Sequence, residues 1–377
     1  MFMYVVNILL LIVYAVVLLW IRPTKDKKKI FCALAAGNWI LLSGLRHFSI
    51  GDDTYSYRRA FYDCKYASWN ELWENFKNTF FNWDVFSNTS NALDENGAAL
   101  DVLWNENALA VKDPGYAILN KAFYSIIPDY TAFLIFVAII FMVPLAILIY
   151  RHSKEPLMSF LIYSCLFYSF FSITGIRQTI ATAIALMGYL AFAEKKKLIP
   201  FLLTILIAFP IHKSVIGFVP IYFLQYVNMD RKKVLAVLLA FPFFFLLRGR
   251  IASVLAFLSG YDGFGDVGGG GAYTFLLVYI VLMIVTLWKG NEAIESNPHA
   301  SQTLAAVAIA FLLTPLTFVN PGMMRLVQYY SIFLILVVPD LVMAFSKDDA
   351  RFAYFFGTVV LIALFVKNNP QYLFFWQ

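Results

Sequence analysis

A chain of 377 residues that is 61% hydrophobic and only 14% charged, with a mean hydropathy of +0.72, is too apolar for a water-soluble globule and reads as an integral membrane protein. Its apolar residues fall into blocks of about 16 to 21, close to what a helix needs to cross a hydrocarbon core, so the expected class is an all-α helical bundle and not a barrel. The net charge of +6 does not indicate nucleic acid, because the basic residues recur as small clusters between apolar blocks, which is a topology pattern.

Span 1, about residues 4 to 21, has no basic region before it and no small-residue cleavage site, and is expected to be retained as a span. It ends at RPTKDKKK, whose five basic residues against one acid assign that end to the cytoplasm. Span 2, about 30 to 45, returns outward and opens a long outer loop over residues 46–113. That loop carries eleven acids against six Lys and Arg. Part of it, SWNELWENFKNTFFNW, alternates aromatic and polar residues as an interfacial helix would, and its Trp and Tyr rings suit either membrane anchoring or a carbohydrate-facing surface.

Residues 115–127 are too short to span and read as a surface or re-entrant helix. Spans 3 (about 130 to 150), 4 (about 156 to 173) and 5 (about 176 to 193) follow, with RHSK and EKKK at the inner ends. Span 6, about 198 to 210, stops at Pro210 and puts His212 and Lys213 at the outer face, and span 7 then runs to MDRKK. Span 8, about 234 to 247, rises to Arg248 and Arg250. The glycine-rich stretch GYDGFGDVGGGG lacks the Lys and Ser/Thr of a phosphate loop and reads as a hinge or gate. Spans 9 to 12, about 272 to 288, 300 to 318, 326 to 344 and 351 to 366, complete an expected twelve-span single membrane domain over residues 1–377 that obeys the positive-inside rule. No internal repeat is visible. Of Cys32, Cys64 and Cys165, two lie in spans, so no structural disulfide is expected.

The densest chemistry lies in GLRHFSIGDDTYSYRRAFYD, residues 44–63. Sorting polar residues by side puts Arg46, Asp52, Asp53, Arg58, Arg177, Gln178, His212, Lys213, Arg248, Arg250 and Arg325 on the outer half. Arg177 is the most telling, since it opens an otherwise apolar helix, where a charge at mid-bilayer costs about 2.5 kcal/mol or more unless something anionic or wet receives it. One arginine can snorkel to the headgroups, whereas Arg46, Arg177 and Arg325 together call for an anion, and a phosphate or diphosphate matches the guanidinium fork. His212 has the reference pKa of a group that takes a proton at neutral pH, or it is a structural helix-end histidine. Asp52 and Asp53 are alternatives for the base, or orient arginine and sugar hydroxyls. The same adjacent pair is a possible divalent-metal ligand set, but no His or further carboxylate stands at ligand spacing, so no metal or other cofactor is expected.

LRHFSIGDDTYSYRRAF resembles the signature of the EpsG family of polysaccharide polymerases. GIRQTIATAIALMGYLAF with its following lysines, AFPIHKSVIGFVPIYF and MMRLVQYYSIFLILVVP are similar, in the same order, to that family's Arg-Gln, His-containing and late Arg-Tyr helices. The resemblance implies a Wzy-like activity on the outer face of a bacterial inner membrane. There, a glycan on undecaprenyl diphosphate passes to a sugar hydroxyl of another lipid-linked repeat unit, giving an exopolysaccharide, capsule or O-antigen. It implies Arg46, Arg177 and Arg325 on the diphosphate, His212 as acceptor base, and Asp52 and Asp53 as orienting groups. Thr54, Tyr57, Arg58, Gln178, Lys213, Arg248, Arg250 and Tyr329 would line the substrate. The implied partners are lipid-linked donor and acceptor, the bilayer and a chain-length regulator. Two rivals are a glycosyltransferase using a polyprenyl-monophosphate sugar, which would use an acid in the first outer loop, and a lipid-linked oligosaccharide flippase, whose charges would line a cavity near mid-membrane.

Overall fold

The computed structural model describes residues 2–21, 24–51, 53–81, 113–259, 270–367 and 371–377. Among these the regular structure is helical, with one isolated antiparallel bridge between Arg46 and Phe374. Six helices are long and apolar enough to cross a membrane, and two bent pairs, Arg231–Leu246 with Arg248–Leu255 (79°) and Pro321–Ser331 with Leu334–Val342 (53°), raise the number to eight if each pair is one span. Helices also form at the remaining expected span positions, namely Lys25–Gly44, Pro156–Phe167, Leu198–Ala208 and Lys213–Leu224. Twelve full crossings are nonetheless not shown. Leu198–Ala208 has 11 residues, about 16 Å of helix against a hydrocarbon core of about 30 Å.

Side-chain caps fix several helix starts. Asp129 accepts from the Ala132 N–H at 2.7 Å and Asp230 from the Lys233 N–H at 2.9 Å, each satisfying a first-turn donor that the helix itself cannot pair. Close packing rests on small residues, as is usual where lipid supplies no hydrophobic drive between helices. A Cβ on Gly44 would collide with Ile135, and one on Gly188 with Thr204. The Ile176–Lys195 and Ala300–Phe318 spans are the centre of the bundle, with 72% and 78% of their most apolar stretch buried; Tyr273–Ser296 and Lys347–Lys367, at 22% and 17%, form its perimeter.

The basic clusters gather at one end. Lys28 Nζ donates to the Ser153 carbonyl at 2.7 Å, His152 pairs with Glu194 at 2.7 Å, and the His152 ring lies 4.4 Å from that of His299. At the other end the Lys25–Gly44 helix runs out at Leu45 and meets the C-terminal segment. The His47 N–H donates to the Leu373 carbonyl at 2.8 Å, the Phe375 N–H to the Leu45 carbonyl at 2.9 Å, and the Tyr372 hydroxyl to the Leu42 carbonyl at 3.1 Å. The stretch expected as loop folds in part. Thr54–Asp63 and Trp69–Phe81 are helices, and the second exposes Trp69 and Trp73 while burying Leu72 and Thr79. Residues 82–112, Asp52 and residues 260–269, which carry most of the expected hinge, lie outside the described residues.

Candidate active site

Four segments converge at the end of the bundle opposite the basic clusters. The Pro114–Ile126 helix begins with proline at its first position, where a missing N–H costs nothing, and Asp113 immediately precedes it. Gly115 then passes so close to Pro210 that an added Cβ would sit 2.6 Å from the proline Cβ, and the Gly115 N–H donates to the Pro210 carbonyl at 3.0 Å. This contact sets Asp113 beside the turn bearing His212. The third segment is the Ile176–Ala191 helix, entered through Gly175 at φ 63°, a left-handed conformation that favours glycine, with Arg177 and Gln178 in its first turn. Fourth is the Met324–Ser331 helix, carrying Arg325 and Tyr329.

Asp113 is the hub. Its Oδ2 accepts from Arg177 Nη1 at 2.6 Å and lies 3.4 Å from His212 Nδ1. Arg177 Nε also donates to the Tyr57 hydroxyl at 3.4 Å, and the guanidinium stands 5.6 Å from the Tyr57 ring centroid. Gln178 Nε2 donates to the Arg325 carbonyl at 2.7 Å, and the Tyr329 hydroxyl pairs with Ser214 Oγ at 2.9 Å. By side chain, Asp113 is 3%, His212 10% and Arg177 23% exposed, so the guanidinium is the most accessible of the three groups. His212 Nε2 is buried and has no hydrogen-bond partner among the described residues. Burial pushes the His212 imidazole below its ordinary pKa; the Asp113 carboxylate opposes this, and the Arg177 and Arg325 charges add to it. This favours the neutral imidazole, which keeps a lone pair on one nitrogen.

The apolar floor is one packed cluster that includes Tyr57, Phe61, Tyr116, Tyr130, Phe133 and Ile176. A dry floor lowers the local dielectric, which strengthens charge interactions above it.

Of the residues singled out in the sequence, Tyr57, Arg177, Gln178, His212, Arg325 and Tyr329 come together here, with Lys213 next along the chain from His212. Arg46 does not join them. Its guanidinium is buried at 3% exposure and is spent on two backbone carbonyls, those of Ser43 and Ile173, the latter at 2.9 Å. The Ile173 carbonyl is available because Ile173 ends its helical segment, where the last carbonyls have no intrahelical donor. Thr54 bonds back to the Ile50 carbonyl at 2.8 Å, Arg58 stacks 4.1 Å from the Phe48 ring centroid, and Asp53 is exposed. Arg248 donates to the Phe245 carbonyl at 2.7 Å and Arg250 is exposed. Among the described residues no group of three His, Cys, Asp or Glu side chains is placed to hold a metal ion.

Asp113 and Ser214 were not legible as site residues. Asp113 is one of eleven acids in its loop; the one local signal is its place before Pro-Gly at a helix start, which allows an acid to be buried at a fixed position. A search of curated proteins and one of solved structures return no match. The family model described as the EpsG family matches residues 29–371, which takes in all four converging segments, and the chain belongs to that family.

Proposed function

We propose that the chain is a membrane glycosyltransferase of the Wzy-like polymerase type, joining undecaprenyl-diphosphate-linked repeat units on the outer face of a bacterial cytoplasmic membrane. Membership of the EpsG family supports a polysaccharide polymerase role in general. The observation that carries the finer reading is the Arg177–Asp113–His212 group, with Arg325 close enough for its charge to bear on His212.

The reaction asks for two things. The lipid diphosphate must depart with more negative charge than it carried as an ester, and guanidinium groups fixed over a dry floor stabilise that charge as it develops. The acceptor hydroxyl must lose a proton, and a neutral imidazole nitrogen can receive it. In the step proposed here the acceptor oxygen bonds to the donor's anomeric carbon, and the bond from that carbon to the diphosphate oxygen breaks. The hydroxyl proton passes to His212 Nε2, and lipid diphosphate leaves against Arg177 and Arg325. Arg46 enters this reading as a support of the outer end of the Lys25–Gly44 helix and not as a phosphate ligand.

Arg177→Lys keeps the charge and removes the two-pronged donor, so polymer yield is expected to fall at least about 100-fold, the cost of one lost oxyanion-type donor. In cells the variant should accumulate single lipid-linked units on the outer face. Wild-type polymer would overturn the diphosphate reading. Units stranded on the inner face would point to a flippase, and metal-dependent addition of one monosaccharide by the wild type would favour the polyprenyl-monophosphate enzyme.

A further inference from the structure

The geometry points to Asp113 as a positioning residue that fixes the proton of His212 on Nδ1 and so leaves Nε2 as the atom that receives a proton. This inference deepens the function proposed above and rests on its assignment of His212 as base.

An ionised carboxylate only accepts hydrogen bonds. Placed 3.4 Å from His212 Nδ1, Asp113 Oδ2 favours the tautomer that carries hydrogen there, and the other nitrogen, unpartnered among the described residues, then holds the lone pair. The carboxylate is itself held. Arg177 Nη1 grips the same oxygen at 2.6 Å, and the Gly115 to Pro210 hydrogen bond locks the backbone of the Asp113 turn to that of the His212 turn. One carboxylate thus serves both the group assigned to the leaving diphosphate and the group assigned to the acceptor. A proton transferred to Nε2 produces an imidazolium whose Nδ1–H already faces a negative charge.

The chain contains four histidines, so labelling histidine alone with nitrogen-15 gives a spectrum in which His212 is assigned by its loss in His212→Gln, and His47, His152 and His299 report whether a variant is folded. In the full-length protein without substrate, at about pH 8 where histidine is neutral, His212 should be the Nδ1–H tautomer. In Asp113→Asn the Nε2–H form should rise to a comparable population with the other three histidines unmoved. Turnover should drop about 100-fold or more, as wrong-tautomer variants of orienting aspartates do, with KM for lipid-linked donor within about threefold. Asp113→Glu, which keeps the charge, should retain the tautomer and recover part of the turnover. A wild-type His212 carrying its proton on Nε2 overturns the proposal without any variant, and so does an unchanged tautomer in Asp113→Asn. If the tautomer responds to Asp113 while His212→Gln turns over normally, the positioning stands and the assignment of His212 as base falls.

Discussion

His212 sits in a turn between two short helices, and its environment sets the pH at which it can serve as a base. Burial disfavours the imidazolium, Asp113 favours it, and Arg177 and Arg325 disfavour it, with a net fall below the ordinary value. A base works only when deprotonated. Turnover by the purified protein should therefore be flat through neutral pH and fall about tenfold per unit only on an acid limb lying below about pH 6.5. Removing the Asp113 carboxylate takes away the one favourable charge, so in Asp113→Asn the limb moves to still lower pH. A limb above the ordinary histidine value, or one unmoved by that substitution, would show that another group takes the proton. Arg177 and His212 were legible because a charged residue at the head of an apolar helix, or in an apolar turn, is improbable without a use. Arg46 looked the same in sequence. What separates it is the pair of helix-end carbonyls, those of Ser43 and Ile173, that receive its guanidinium, an approach that no composition or spacing rule reveals.

The Pro114–Ile126 helix meets the turn after the Leu198–Ala208 helix through Gly115 and Pro210, and the site depends on how closely they meet. Alanine at 115 puts a methyl group where the proline ring and carbonyl already lie, and the proline cannot turn aside. Gly115→Ala should thus destabilise the protein by about 1–3 kcal/mol and separate Asp113 from His212. The expected readings are a lower thermal midpoint and loss of turnover with lipid-linked donor still bound. Activity equal to wild type would mean that the close approach of Gly115 to Pro210 is incidental to the reaction. Segment starts were readable from hydropathy to within about five residues. Depth was not, because apolar blocks such as Leu198–Ala208 and Lys213–Leu224 announce burial, and burial in protein and burial in lipid have the same composition.

Across the whole molecule, the gathering of RHSK and EKKK at one end and of Arg177, His212 and Arg325 at the other agrees with the side-sorting read from the basic clusters. The assignment of those ends to outside and inside is testable. Ser125 and Lys197 are both exposed and lie at opposite ends, while the three native cysteines are buried. A cysteine at Ser125 should react with a membrane-impermeant maleimide in intact cells, and one at Lys197 only after permeabilisation. The reverse pattern would move the site to the inner face and rule out a polymerase working outside.

The bridge between Arg46 and Phe374 ties together two segments that leave the ribosome far apart in time. The Tyr372 hydroxyl reaches the Leu42 carbonyl across 330 positions of chain, and at roughly 5–20 residues per second the ribosome needs about 15–65 s to travel that distance. For that interval the Leu45 end of the Lys25–Gly44 helix is without the segment of residues 372–375 that pairs with it. This end of the bundle therefore reaches its final form only after residues 371–377 have been delivered.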